Sequence, residues 1–169
     1  EKLSPNVIIL SDYNKRIFKG NLASKIISWA NSRNIITFCD PKPENAEKFR
    51  ESTIISPNLL EAQKISQVHD KDIEKIIEKI NSKFIVITLG DEGIICYDGE
   101  IQRIPSQVKE VSDVMGAGDT VTAALALSLA AGANVKDSAA IANYAAGIVV
   151  EKHGTATLTP QELLDRINS

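Results

Sequence analysis

Cysteine is scarce in this chain of 169 residues: only Cys39 and Cys96 occur, far apart in sequence. They form no CxxC pair and no metal-ligand spacing, which excludes a cysteine-built zinc site. Reduced thiols in a cytoplasmic protein are expected, with a lone disulfide as the alternative. Excess positive charge is missing too. Lys and Arg number 19 against 22 Asp and Glu, a net charge of −3. That balance is not a nucleic-acid footprint, and the nearest basic cluster is short, Lys15-Arg16 with Lys19. Long apolar runs are absent as well. The longest, Val121 to Ala133, is broken by Thr122 and Ser128 and falls short of the roughly 20 residues a membrane span takes. Glu1-Lys2-Leu3-Ser4-Pro5 has no long apolar region behind it, so no secretory leader is expected. Because Glu1 is not a methionine, a fragment, processed product or excised domain is expected. No linker rich in Gly, Ser or Pro divides the sequence, so residues 1–169 read as a single domain. A chain of about 150 residues buries roughly 70% of its unfolded surface, enough for a core.

What is present alternates. Val7-Ile8-Ile9-Leu10, ended by Ser11-Asp12, reads as a buried parallel strand. A helix from about Asn21 to Ser32 follows, with Ala23, Ile26, Ile27 and Ala30 on one face. Ile35 to Cys39, Thr53 to Ile55 and Phe84 to Thr88 read as further strands. Between the last two, Asn58 stands as a helix N-cap with Glu61 three residues on, and Ile73, Ile76, Ile77 and Ile80 repeat at helical spacing. Asp98-Gly99 between Ile94–Tyr97 and Ile101–Ile104 predicts a hairpin. The pattern is α/β: a mostly parallel sheet flanked by helices, with an antiparallel hairpin at one edge. Two Ala-rich helices follow, about Gly118–Ala131 and Val135–Lys152. Both are apolar on nearly all sides and expected to be buried. A last amphipathic helix begins at Pro160.

Asp113-Val114-Met115-Gly116-Ala117-Gly118-Asp119 opens the first Ala-rich helix. Its glycines let the backbone turn tightly against a ligand. The first helical N–H groups point outward without partners, and the helix dipole favours an anion there. Asp119 can take a proton from an attacking hydroxyl, so Gly116, Ala117, Gly118 and Asp119 together suit phosphoryl transfer. No Gly-Lys-Ser/Thr ending marks a P-loop. The plain alternative is a loop with Asp119 as a helix-start carboxylate. Asn58 and Glu61 share a helix face and can hold hydrated Mg²⁺ through water, or form a capping box alone. Thr88, Gly90 and Gly93, around the end of a strand, stand where ligands bind in open α/β sheets, or form an ordinary turn. Asp12 can bind a sugar hydroxyl and Lys15 a phosphate, or both belong to a solvated loop. All these positions fall at one edge of the sheet.

Together these residues resemble the PfkB/ribokinase family of carbohydrate kinases. Asp113 to Asp119 resembles the family's D-T-x-G-A-G-D signature, with Val114 in place of Thr. Asn58–Glu61 resembles its N-x-x-E motif, and Thr88-Leu89-Gly90 its nucleotide loop. Within the family the likeness runs to the heptose 7-phosphate kinases of lipopolysaccharide synthesis. It is carried by Ile9-Leu10-Ser11-Asp12-Tyr13, Asp40-Pro41-Lys42, Pro57-Asn58, Ala142 to Val150 and Gly154-Thr155-Ala156-Thr157. That subfamily continues its first stretch Gly-Lys-Gly, where this chain reads Asn14-Lys15-Arg16. The resemblance implies a ribokinase-like fold, ATP and Mg²⁺ as cofactors, Asn143 near the base and His153 at the surface. It also implies phosphorylation of D-glycero-β-D-manno-heptose 7-phosphate at O1. Another sugar, as in ribokinase or fructokinase, is one alternative, and a non-catalytic nucleotide-binding fragment is the other. The family's N-terminal part and β-lid are not in the sequence, nor is the adenylyltransferase domain of the bifunctional enzymes. The isolated chain is therefore expected to be inactive and to self-associate through an unpaired sheet edge, and a homodimer is an expectation for a full-length parent.

Overall fold

The computed structural model describes residues 4–108 and 110–169. Glu1, Lys2 and Leu3, on which the expectation of no leader segment partly rests, lie outside the described residues.

Among the described residues six strands form one sheet whose spatial order equals chain order. β1 (Val7–Ser11), β2 (Ile36–Asp40), β3 (Ile54–Ile55) and β4 (Phe84–Thr88) run parallel. β5 (Gly93–Tyr97) and β6 (Ile101–Pro105) are antiparallel and end the sheet. Asp98-Gly99 makes the hairpin turn, where Gly99 takes φ 116°, a value only glycine adopts readily. The helices are α1 (Leu22–Asn31), α2 (Leu59–Ser66), α3 (Ile73–Ile80), α4 (Ala117–Ala130), α5 (Val135–Val150) and α6 (Pro160–Ile167). A 3₁₀ helix over Pro43–Phe49, with Pro43 in its first turn, joins β2 to β3.

Successive strand residues point to opposite faces, and the core divides accordingly. Phe38, Ile54, Val86 and Ile94 meet Val121, Leu125 and Leu129 of α4 and Val135, Ala139 and Ala142 of α5. Their chain neighbours Ile55, Ile85, Ile87 and Ile95 meet Ile73, Ile76, Ile77 and Ile80 of α3. Each such isoleucine contributes about 1.5–3 kcal/mol when fully buried. Leu10 and Cys39 pack with Phe18, Ala23, Ile27 and Phe49 beside that second layer. The two cysteines are free and buried. They belong to clusters on opposite faces of the sheet, so the disulfide alternative falls. Burial pushes the Cys39 thiol up to about 12 and the Cys96 thiol to about 11.

One expectation needs correction. α5 is largely buried, ten of its sixteen residues. α4 is not: it buries Val121, Leu125, Ala126 and Leu129, while Leu127 is 70% exposed. It lies on β1 and β2 with α5 along one flank, and its outer flank faces solvent. Among the described residues β1 pairs only with β2, and Ile9 is exposed. α6 is held to α5 by Lys152–Glu162 at 2.6 Å and by Arg166–Glu151. Lys152 and the N-cap Thr159 draw the Glu162 carboxyl down to about 2. Among the described residues no helix is long and apolar enough to cross a membrane.

Candidate active site

Parallel pairing puts the C-terminal ends of β1 to β4 on one edge, and the N-terminus of α4 sits over that edge. Local bonds shape the turn that leads into α4. The N–H groups of Ser112 and Asp113 both donate to Val150 O, at 2.7 and 3.0 Å. Asp113 Oδ1 accepts the Met115 N–H at 2.9 Å, which bends the chain into Gly116 at φ 81°. Thr120 then closes the helix, with both its N–H and its hydroxyl donating to Gly116 O at 2.9 Å. The N–H groups just before Thr120 have no partner within the helix.

A cavity of ≈ 250 Å³ opens beside them, walled by Tyr13, Lys42, Asn58, Glu61, Gly118 and Asp119. Asn58 and Glu61 form a full capping box. Asn58 Oδ1 accepts the Glu61 N–H at 2.9 Å, and Glu61 Oε2 accepts the Asn58 N–H at 3.1 Å. The other Glu61 oxygen accepts from Lys42 Nζ at 2.6 Å. The capping box is formed, and both of its residues also line the cavity. Asp40, in the same wall, has its carboxyl pushed up to about 6. Burial is the main cause and the nearby Glu61 charge the next, with Lys42 opposing. Tyr13 donates its hydroxyl to Asp119 Oδ1 at 2.8 Å.

A second cavity of ≈ 220 Å³ shares Thr88, Gly118 and Val121 with the first. Its wall is mainly apolar, including Ile94, Val111, Val114 and Ala146, with Gly90, Gly93, Ala117 and Asn143 among the rest. Asn143 donates from Nδ2 to Pro105 O at 2.6 Å, tying α5 to the end of β6. Gly93 has a packing reason as well: at φ 105°, an added Cβ would lie 2.2 Å from Ile104 O. At Gly118 an added Cβ would meet no heavy atom within 4 Å, so space stands open against the helix N-terminus. An apolar cleft joined there to a polar one, with backbone donors between them, suits a base on one side and phosphates on the other.

The structure therefore brings Asn58, Glu61, Thr88, Gly90, Gly93, Gly116, Ala117, Gly118, Asp119 and Asn143 to two joined cavities. Asp12 and Lys15 are not brought there. Asp12 is 4% exposed. Its two oxygens accept from the Asn14 N–H and from Asn45 Nδ2, each at 2.8 Å, so its carboxylate shapes the loop. Lys15 is exposed and lines neither cavity. Tyr13, Asp40 and Lys42 also line the site, although no motif spacing in the sequence gives them a role. The available signal was Asp-Pro-Lys at the C-terminal end of a parallel strand. Thr155 lies behind the turn, its methyl 3.2 Å from where a Gly116 Cβ would stand. His153 is exposed, 2.7 Å from the Ser112 hydroxyl.

Comparison with known proteins agrees with this architecture. The Bifunctional protein HldE of Geobacter sulfurreducens is 38% identical over 168 residues, covering 94% of this chain and 34% of that protein. The HldE proteins of Trichlorobacter lovleyi and Campylobacter concisus are 38% and 36% identical, over 96% of this chain and 35% and 36% of their own lengths. The chain thus spans about a third of the curated relatives it matches. Among solved structures, ribokinase from Thermotoga maritima superposes with a TM-score of 0.77 at 23% identity, over 96% of this chain and 57% of that one. Arabidopsis thaliana ribokinase complexed with ribose and ATP superposes at 0.83 and 19% identity, over 97% and 56%. These neighbours show a ribokinase-like fold. The family model described as pfkB family carbohydrate kinase matches residues 9–162, and the chain belongs to that family.

Proposed function

We propose that this chain forms, as one domain, the nucleotide-binding and proton-accepting part of an ATP-dependent sugar kinase. We further propose D-glycero-β-D-manno-heptose 7-phosphate as the substrate, phosphorylated at O1 to the 1,7-bisphosphate. One observation carries the kinase reading. Asp119, the open space at Gly118, Lys42 and the Asn58–Glu61 pair share a cavity that continues into an apolar cleft. The sugar assignment is supported by the HldE relatives and by Thr155 standing against the Gly116 turn.

Mg-ATP, when bound, supplies the phosphoryl group and the divalent charge that offsets it. Asp119 accepts the proton of the attacking hydroxyl. The N–H groups at the start of α4 donate to the phosphoryl oxygens, where fixed donors act most strongly. Asn58 and Glu61 would hold the hydrated cation through water, and Lys42 adds positive charge to a wall that otherwise carries Asp40, Glu61 and Asp119. Val111, Val121 and Ala146 shelter the base, with Asn143 fixing the cleft beside it.

The test is coupled ADP release by the intact gene product, with heptose 7-phosphate, ribose and fructose compared. Preference for the heptose by about 10²-fold or more in kcat/KM is expected. A preference for ribose would keep the kinase and change the sugar. Folded protein that binds nucleotide yet releases no ADP with any sugar would leave only a nucleotide-binding module.

A further inference from the structure

Tyr13 and Asp119 are 106 residues apart in sequence, yet they share the bond at the centre of the site, hydroxyl to Oδ1 at 2.8 Å. The base of the tyrosine is fixed and its ring is not. Asp12, buried next to it, is pinned by the Asn14 N–H and the Asn45 amide. Lys48 ties the far end of the loop by donating to Phe18 O at 3.1 Å and to Asn45 Oδ1 at 2.7 Å. The Tyr13 side chain itself is 58% exposed, so it can leave Asp119 without disturbing the core.

The bond Tyr13 makes is the bond an acceptor must make. A general base takes a proton from an O–H within hydrogen-bond reach of its carboxylate. The phenol already stands at that distance, and its own proton stays on. Its pKa is raised above the usual tyrosine value by the bond to Asp119 and by that carboxylate's charge. Water is also an O–H donor, is always at hand, and would convert a sugar kinase into an ATP hydrolase.

We infer that Tyr13 is a specificity-determining residue: its hydroxyl occupies the acceptor place on Asp119 Oδ1 and keeps water from it until a sugar hydroxyl takes over. The inference rests on the reading of Asp119 as proton acceptor. Water exchanges one hydrogen bond for another and gains nothing by displacing the phenol. A sugar brings further contacts and can displace it. The step held back is simple in its balance. An O–P bond forms from water, the bond from phosphorus to the leaving ADP oxygen breaks, and the water proton passes to Asp119.

Two measurements on the intact gene product decide it. In Tyr13→Phe, ADP release without sugar should rise about tenfold or more, and its ratio to sugar-dependent release should rise with it. A structural role for the hydroxyl would lower both rates together, and that result, or an unchanged ratio, overturns the inference. Independently of turnover, tyrosine ring-carbon NMR should show Tyr13 titrating high in the free protein. The upward shift should be lost in Asp119→Asn and on saturation with sugar substrate. A Tyr13 titration unmoved by sugar also overturns it. The double variant Tyr13→Phe/Asp119→Asn separates the two readings. If it hydrolyses ATP as fast as Tyr13→Phe alone, Asp119 is not the proton acceptor. If Tyr13→Phe shows no rise while Asp119→Asn abolishes sugar phosphorylation, only the role of Tyr13 fails.

Discussion

Replacing Gly118 by alanine should make the protein slightly more stable and much less active. Gly118 sits in the first turn of α4 with ordinary negative φ, and an added Cβ meets no heavy atom within 4 Å. No clash opposes the change. Alanine exceeds glycine in a helix interior by up to about 1 kcal/mol, and less in a first turn. A gain of about 0.5 kcal/mol is therefore expected, about 1–2 °C in Tm for a chain of this size. The methyl group would, however, fill the space where the two cavities meet. A phosphoryl group held by the first N–H groups of α4 would be pushed off its donors, and losing one such donor costs about 10²–10³-fold in turnover. Thermal melts, ADP calorimetry and coupled ADP release on the intact gene product measure the three quantities. Gly93→Ala is the control with the opposite sign. Its Cβ would lie 2.2 Å from Ile104 O and 2.6 Å from Ser106 N at φ 105°, so it should lose about 2–4 kcal/mol of stability. A Gly118→Ala protein that is as stable as expected and keeps turnover within about threefold of the parent would show that phosphate does not use this space.

Asp119→Asn should keep nucleotide affinity near the parent value and lose about 10²–10⁴-fold in kcat; more than half the parental kcat would reduce Asp119 to helix-start electrostatics. Lys42→Met should lower turnover by about 10²-fold; calorimetry with ADP checks that binding survives, and a fall in stability without a fall in turnover would make the Lys42–Glu61 pair structural only. Asp40 gives a pH prediction. Its folded pKa of about 6 lies above the ordinary 3.8, so the fold favours the protonated acid. Below pH 3.8 the group is protonated in both states and contributes nothing, whereas its destabilising effect grows between 3.8 and about 6 and is complete above. Asp40→Asn should therefore raise the urea midpoint at pH 7.5 and leave it unchanged near pH 3.5; an equal gain at both would assign the effect to packing.

What could be read from the sequence was whatever depends on near neighbours. Ile73, Ile76, Ile77 and Ile80 stand at helical spacing and are all buried on one face of α3. Phe84–Thr88 and the Asp98-Gly99 hairpin were legible for the same reason. The capping box at Asn58–Glu61 is a contact three residues long, and it formed. The exposure of α4 was not legible. An Ala- and Leu-rich helix carries no polar stripe, so its sequence does not say which side meets the sheet. Only the arrangement over β1 and β2 leaves Leu127 outside. Asp12 stands at a strand end, a place the sequence shows, but its carboxylate is engaged by Asn45, 33 residues on, a contact no local spacing encodes. Lys42 and Glu61 meet across 19 residues, through the path of the chain from β2 to α2, which no local spacing encodes.

That dependence on distant contacts bears on how the molecule assembles. Strands adjacent in the sheet are adjacent in the chain, and the β1–β2 ladder, Val7 to Ile36, closes a loop of about 30 residues. Joining Tyr13 to Asp119 closes a span of 106. That is nearly two doublings longer, about 1 kcal/mol more in closure entropy. Docking α4 repays this mainly through its buried Val121, Leu125, Ala126 and Leu129, because Leu127 on its outer flank stays wet. A fluctuation that lifts α4 would leave every strand ladder paired while parting Asp119 from Tyr13, Lys42 and Glu61. Assembly of the proposed site is thus tied to the docking of one helix, whereas pairing of the strands is not.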